Sequence, residues 1–208
     1  MRKFMKLIDL SHTFGLGMPV FPGDEKASLV EVATVKKDGY TNYQLKAGMH
    51  VGTHIDAPLH FISEGKKISD FSLEHFYGSA KVIDVRGKYD IDVDSLKNIE
   101  ITRGDIVLFF TGHDQFYGKH EYFIDHPILT ETLACALIER GIKMVGIDAP
   151  SPDKYPFPLH KLFLKHDILI LENLTNLESL SNKNFELFAF PIKFETDAAF
   201  VRTIAKLE

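Results

Sequence analysis

The sequence predicts a mixed α/β fold with a substantial sheet. Short apolar runs rich in Val, Ile, Leu and Phe recur along the chain, most of them bounded by turn-prone residues. Only one segment combines helical spacing with both end signals, so strands outnumber helices. Length bounds the answer further. The chain has 208 residues, enough for one large core and marginal for two. No repeat, linker or low-complexity tract divides it, so residues 1–208 are read as a single domain.

The elements follow in chain order. Residues 27–35 and 43–49 read as a strand pair joined across Lys37-Asp38-Gly39. A short helix is expected near residues 72–77. Residues 81–85, 106–110, 143–147 and 168–171 are apolar enough to be buried strands. The clear helix starts at Thr130, a good N-cap, with Glu131 in the first turn where the helix dipole favours an acid. Leu133, Ala136, Leu137 and Arg140 follow at helical spacing, and Gly141 suits the C′ position. Cys135 lies inside this helix as a small packing residue.

Composition excludes several classes of function. Lys and Arg number 24 against 29 Asp and Glu, a net charge of -5. Basic residues come at most in adjacent pairs such as Lys36-Lys37 and Lys66-Lys67, so no nucleic-acid surface is expected. No apolar run approaches the roughly 20 residues that span a bilayer. Residues 1–10 lack the uninterrupted apolar stretch of a signal peptide. The lone Cys135 rules out an intrachain disulfide and suits a reducing cytoplasm.

The chemistry concentrates between Met49 and His60. His50, His54, Asp56 and His60 fall within 11 residues. Neutral imidazoles and a carboxylate form a common ligand set for zinc or a similar divalent ion, and three protein ligands leave a position open for water. The offsets between the four are all even, so on a straight strand all would share a face. His50 and Asp56 would then stand about 20 Å apart at roughly 3.3 Å per residue, too far for one ion. A regular helix would turn Asp56 off the face shared by His50 and His54, and Pro58 disfavours helix at Ala57. The segment is therefore expected to be an irregular loop, entered from a strand and bent at Gly52, that wraps around an ion.

These residues, in the order His50-x-Gly52-Thr53-His54-x-Asp56-x-Pro58-x-His60, resemble the H-x-G-T-H-x-D-x-P-x-H motif of the cyclase family, which includes bacterial kynurenine formamidases and isatin hydrolases. All seven specified positions match. The likeness extends to Asp9-Leu10-Ser11-His12, to residues 19–24, to Gly146-Ile147-Asp148-Ala149-Pro150-Ser151-Pro152-Asp153, and to His160 and Glu172-Asn173-Leu174. The resemblance implies a swivelling β/β/α fold, a single domain around a mixed sheet, assembled as a homo-oligomer. It implies that His50, His54 and Asp56 bind one divalent ion. Asp56, His160 and Glu172 would bind a second, with Asp56 bridging, and His60 would be the general acid/base. Formamidases of this family use zinc, and isatin hydrolases a single manganese.

Two departures stand out. The formamidases carry a substrate-facing Trp where this chain reads Pro19-Val20-Phe21-Pro22, and the chain has no Trp at all; Phe21 is left as the aromatic wall for substrate. The family's C-terminal D-G-S-P-x-R is here Asp197-Ala198-Ala199-Phe200-Val201-Arg202.

Taken singly, the outlying residues have plainer readings. His160, after Pro156 and Pro158, reads as part of a loop, where a histidine is more often surface than ligand. Glu172 ends an apolar strand, where a carboxylate is costly unless paired or bound to a cation. Asp148 also ends a strand and is a candidate for orienting a ligand. His75, His113, His120, His126 and His166 match no motif.

The function expected is metal-dependent hydrolysis of the C–N bond of a small-molecule amide or formamide, arylformamidase-like. A lactam or lactone hydrolase using the same site is the nearest alternative. A metal- or small-molecule-binding protein without catalysis is a second. No G-x-S-x-G elbow supports a serine hydrolase.

Overall fold

The computed structural model describes residues 6–207; the reading of residues 1–5 in the N-terminal stretch lies outside that range. In chain order the elements are β1 (Lys6–Asp9), β2 (Ser28–Ala33), α1 (Val35–Asp38), β3 (Asn42–Lys46), β4 (His54–Asp56), β5 (Tyr77–Asp84), β6 (Asp90–Ile91), β7 (Ile106–Phe110), β8 (Ile128–Leu129), α2 (Glu131–Arg140), β9 (Met144–Ile147), α3 (Pro158–Lys165), β10 (Leu169–Glu172), β11 (Phe185–Phe188), β12 (Ala198–Phe200) and β13 (Ile204–Leu207).

Nine strands form one mixed sheet in the order β1-β13-β11-β5-β7-β9-β10-β4-β12. Its centre, β5-β7-β9-β10, is parallel and its flanks are antiparallel. The class expected from the sequence, α/β with a mixed sheet, is the class found.

β7, β9 and β10 are buried on both faces, which is why they read as continuous apolar runs, while β5 is only partly covered. On β7, Ile106, Leu108 and Phe110 enter one core while Val107 and Phe109 enter the other. The second core also takes Leu133 and Leu137 of α2 and Phe163 and Leu164 of α3, so both longer helices cover that face. The opposite core is closed by Leu10, Phe71, Phe76, Leu174, Leu177 and Leu180, largely from loops and single turns. Among the described residues no helix is long and apolar enough to cross a membrane.

α2 begins and ends where the sequence places it. Thr130 Oγ1 accepts from Leu133 N, and Gly141 takes the left-handed conformation at φ 69°. The expected short helix near residues 72–77 is a single 3-10 turn, Leu73–Phe76. The expected strand pair exists as β2 and β3, but both strands are shorter than expected. Thr34 caps the one-turn helix α1 between them by accepting from Lys37 N.

Two corrections bear on the site. His160 is not in a loop but on α3: Pro158 occupies the first turn, where its missing N–H costs nothing and its fixed φ is already helical. Part of the expected irregular loop is strand. β4 lies inside the sheet between β10 and β12.

Candidate metal centre

The local fold gathers the residues in three moves. A turn at 49–50 and a bend over 51–53 reverse the chain, with Gly52 at φ 69°. The left-handed φ is what calls for glycine here, since the nearest atom to an added Cβ, Met18 Cε, is the tip of a side chain that can swing aside. β4 then runs straight for three residues, so His54 and Asp56 share a face while Ile55 enters the core opposite the helices. Finally, the 3-10 turn Pro58–His60 folds His60 back toward His50, their ring centroids 4.0 Å apart.

Register brings in the rest. β10 pairs with β4 so that Glu172 is directly opposite His54, which sets their side chains together on one face. Glu172 has the parity of Ile170, which faces the helices, and α3 carries His160 to the same place.

The resulting distances are short. His54 Nε2 is 3.3 Å from Asp56 Oδ1 and 3.4 Å from Glu172 Oε2. His160 Nε2 is 3.2 Å from Glu172 Oε1 and 3.6 Å from Asp56 Oδ2. His50 Nδ1 is 2.9 Å from Asp56 Oδ1. Yet His54 Nε2, both Asp56 oxygens and Glu172 Oε1 are buried without a hydrogen-bond partner. Orphaned buried polar atoms are expensive, and four converging on one point call for a ligand. Two ligands each about 2.1 Å from a tetrahedral ion lie about 3.4 Å apart. The four separations made by His54 and His160 fall around that value, so the donor set fits a divalent cation. The ligand atoms form two triplets, His54/Asp56/Glu172 and His50/Asp56/His60, each within 4.8 Å and sharing Asp56.

The outer nitrogens are also held. His54 Nδ1 bonds Gly52 O at 2.7 Å. His160 Nδ1 bonds Asp153 Oδ1 at 2.7 Å, and Asp153 Oδ2 accepts from Leu159 N and His160 N at the start of α3. His50 Nε2 bonds Asp197 Oδ2 at 2.9 Å. An oxygen acceptor behind a ligating imidazole fixes its tautomer and the direction of its free nitrogen.

Asp148, expected to orient a ligand, does not. Its oxygens accept from Thr111 N, Thr111 Oγ1 and Gly112 N. It continues the parity of Met144, away from the helix face. Asp153 makes the contact instead. The available signal was its place at the end of the Gly146–Asp153 likeness; it lies five residues before α3 and reaches the helix N–H groups only through the fold. Asp197 keeps the acid that opens the family's C-terminal stretch, but nothing local ties it to His50, 147 residues away.

The charges are strongly coupled. Burial disfavours the imidazolium of His50, but Asp56 and Asp197 overcome it and raise the ring to about 10. Burial likewise opposes protonation of His160, and Asp153, Asp56 and Glu172 hold it well above its usual value. Burial would raise Asp56; His50 and His54 keep it well below the normal range. Glu172 is pushed up by burial and by the charge of Asp56. Hydrogen bonds from His50 and His60 hold Asp197 far below the usual carboxylate range. The cluster is thus a concentration of negative charge that draws positive charge onto its imidazoles.

The cluster opens on a pocket whose walls include Phe21, Phe61, Phe123 and Phe157, with Asp24 and Ser151 as polar members. Phe21 stands edge-on to Phe123, centroids 5.8 Å apart, and 6.5 Å from Phe157. The residue expected to face substrate is therefore in the pocket wall.

A mixed sheet that delivers a His/Asp/Glu cluster to the floor of an aromatic pocket defines a hydrolase of the metal-dependent class. Residues 8–154 match the family described as Putative cyclase. The chain is 34% identical over 211 residues to a kynurenine formamidase of Bacillus cereus, covering 98% of this chain and 99% of that one. The chain therefore belongs to this cyclase family. Among solved structures, one described as a predicted metal-dependent hydrolase from Bacillus stearothermophilus is 27% identical with a TM-score of 0.83, covering 98% of this chain and 99% of that one. Isatin hydrolase A from Labrenzia aggregata, bound to benzyl benzoate, shares the fold with a TM-score of 0.88 at 23% identity, covering 98% and 94%. Full-length kinship with hydrolases sets aside the reading of a binding protein without catalysis.

Proposed function

We propose that the protein hydrolyses the C–N bond of an aryl formamide such as N-formylkynurenine. The observation that carries this is the convergence of orphaned donor atoms from His54, Asp56 and Glu172 beneath an aromatic pocket. In this reading His50, His54, Asp56, His160 and Glu172 hold one or two divalent cations, with Asp56 shared. The imidazoles suit zinc, the metal that the resemblance to the formamidases also implies, and the carboxylates keep manganese as the other candidate. Such a cation supplies Lewis acidity, polarising a carbonyl and acidifying a water.

The chain's own groups do the remainder. Phe21, Phe61 and Phe157 pack the aryl ring and exclude water from the reacting carbonyl. His60 donates through Nδ1 to Asp197 Oδ2 at 3.1 Å, which leaves Nε2 free at the pocket. There it takes a proton from the attacking water and returns one to the departing nitrogen as the C–N bond breaks, giving an arylamine and formate.

A lactam reading of the same site is favoured by one feature. The segment holding Phe21 lacks the larger Trp that the formamidases carry there. Metal analysis of the purified protein, with hydrolysis of N-formylkynurenine, isatin and simple lactones measured with and without chelator, tests both readings. A rate on N-formylkynurenine that chelator does not touch overturns the proposal.

We also infer a cytoplasmic homo-oligomer. The β2–β3 ribbon leaves Val30, Val32, Tyr43 and Leu45 exposed, and a two-stranded ribbon alone is marginal in water. Sedimentation of the intact protein tests the assembly.

A further inference from the structure

We infer that Asp197 is a positioning residue: one carboxylate oxygen fixes the tautomer and orientation of His60 for proton transfer and steadies His50, without itself holding the cation. The inference rests on the reading of His60 as the proton-transfer group and adds a residue to it.

Three observations carry the argument. The first is the double hydrogen bond. Asp197 Oδ2 lies 2.9 Å from His50 Nε2 and 3.1 Å from His60 Nδ1. A carboxylate only accepts, so both nitrogens carry protons there. His60 is thereby confined to the form whose Nε2 faces outward, and a neighbour that fixes one ring nitrogen decides what the other can do.

The second is the side on which Asp197 stands. His50 presents Nδ1 to Asp56 at 2.9 Å and Nε2 to Asp197. The two nitrogens of one imidazole point away from each other, so Asp197 is across the ring from the atoms that converge on Asp56. Its oxygen is spent on imidazole protons rather than aimed at the orphaned donors.

The third is how firmly the carboxylate is held. The segment leading into β12 is stitched to the loop after β4 by Ala57 N to Asp197 O, Ile68 N to Thr196 O and Ser69 N to Phe194 O, at 2.8, 3.0 and 3.1 Å. The same Ala57 that receives Asp197 starts the turn bearing His60, through His60 N to Ala57 O at 3.0 Å. Acid and imidazole therefore hang from one rigid backbone knot. The altered residues after Asp197 keep this knot, because the bonds use main-chain atoms.

The test uses Asp197→Ala, Asp197→Asn and His60→Ala in the intact protein, reading metal stoichiometry, kcat and KM separately, and the imidazole nitrogen shifts of His60 by NMR. Asp197→Ala is expected to bind its metal at saturating cation, with affinity weakened about 10- to 100-fold as for any acceptor lost behind a ligating imidazole, to keep its KM, and to lose about 10- to 100-fold in kcat, with the His60 Nδ1–H form no longer dominant. Asp197→Asn, which keeps one acceptor oxygen, should recover part of the rate. Failure of Asp197→Ala to take up metal even at saturating cation makes the residue a ligand and overturns the inference, as does an unchanged kcat or an unchanged His60 tautomer. The two readings separate cleanly. An inactive His60→Ala beside a fully active Asp197→Ala defeats only the role of Asp197. A fully active His60→Ala defeats the reading of His60 itself.

Discussion

His54 and Glu172 face each other across the antiparallel ladder of β4 and β10, with Nε2 3.4 Å from Oε2 and no hydrogen bond made by that nitrogen. Two sheet neighbours that approach so closely without bonding are arranged for a third party. The predictions below follow from that arrangement and from the residues supporting it.

Asp56 is common to both triplets of ligand atoms. Asp56→Ala should lose metal and hydrolysis together, whereas Phe21→Ala should keep the metal and raise KM. Metal analysis beside steady-state kinetics checks this. Activity retained in Asp56→Ala would remove the shared-ligand reading.

Cation binding should stabilise the fold, because the unfolded chain offers no such cluster. At 100 times its Kd, a cation adds about 2.7 kcal/mol. For a chain of this size that is a rise of about 5–11 °C in Tm. Calorimetry of the protein stripped with chelator and then reloaded with zinc reads the shift. Identical melting in the two states would count against the site.

Asp153 serves both His160 Nδ1 and two N–H groups of α3. Asp153→Ala should cost about 1–2 kcal/mol from the lost helix start. It should also weaken metal affinity about 10- to 100-fold through the freed imidazole. Chemical denaturation and metal titration separate the two effects. A variant that loses stability alone would make Asp153 merely a cap.

His126 is buried, and burial lowers its pKa from 6.5 to about 4. Its native state takes up a proton less readily than its unfolded state, so this contribution is fully present above pH 6.5 and is lost as pH falls toward 4. A shift of about 2.5 units corresponds to at most about 3 kcal/mol. Stability measured from pH 7 to pH 4 should decline less steeply in His126→Gln than in the parent protein; equal slopes would assign the acid sensitivity elsewhere.

Gly65 packs against the turn that carries His60. An added Cβ would sit 2.6 Å from Pro58 C and 2.7 Å from Leu59 N, both backbone atoms that cannot swing aside. Gly65→Ala should cost about 1–3 kcal/mol and lower kcat by displacing His60. A variant with unchanged melting and rate would show that the turn yields without consequence.

The sequence made some of this legible and hid the rest for identifiable reasons. The strands β7, β9 and β10 announced themselves because strands buried on both faces read as nearly continuous apolar runs, whereas β5 was caught only in its second half. The even spacing of His54 and Asp56 would put both on one face of a strand, but the segment reads as an irregular loop, and only the structure shows that this part is strand. Reaching His50 and His60 required bends that Gly52 and Pro58 hinted at but did not specify. Helix α3 was obscured by Pro156 and Pro158, which read as loop residues although Pro158 opens the helix. Strands β11 to β13 and the role of Asp197 were invisible because their partners lie far away in the chain. Glu186 pairs with Ser79, and Asp197 meets residues of the first third.

The seating of β12 beside β4 has a consequence for the order in which this molecule becomes competent. A chain lengthening from its N-terminus owns every imidazole and carboxylate of the cluster once Glu172 has been made. It still lacks the edge strand that flanks His54 and the acid that steadies His60. The site is therefore finished late: residues from the first third of the chain wait for a segment beyond residue 190 before His54 is flanked and His60 is anchored.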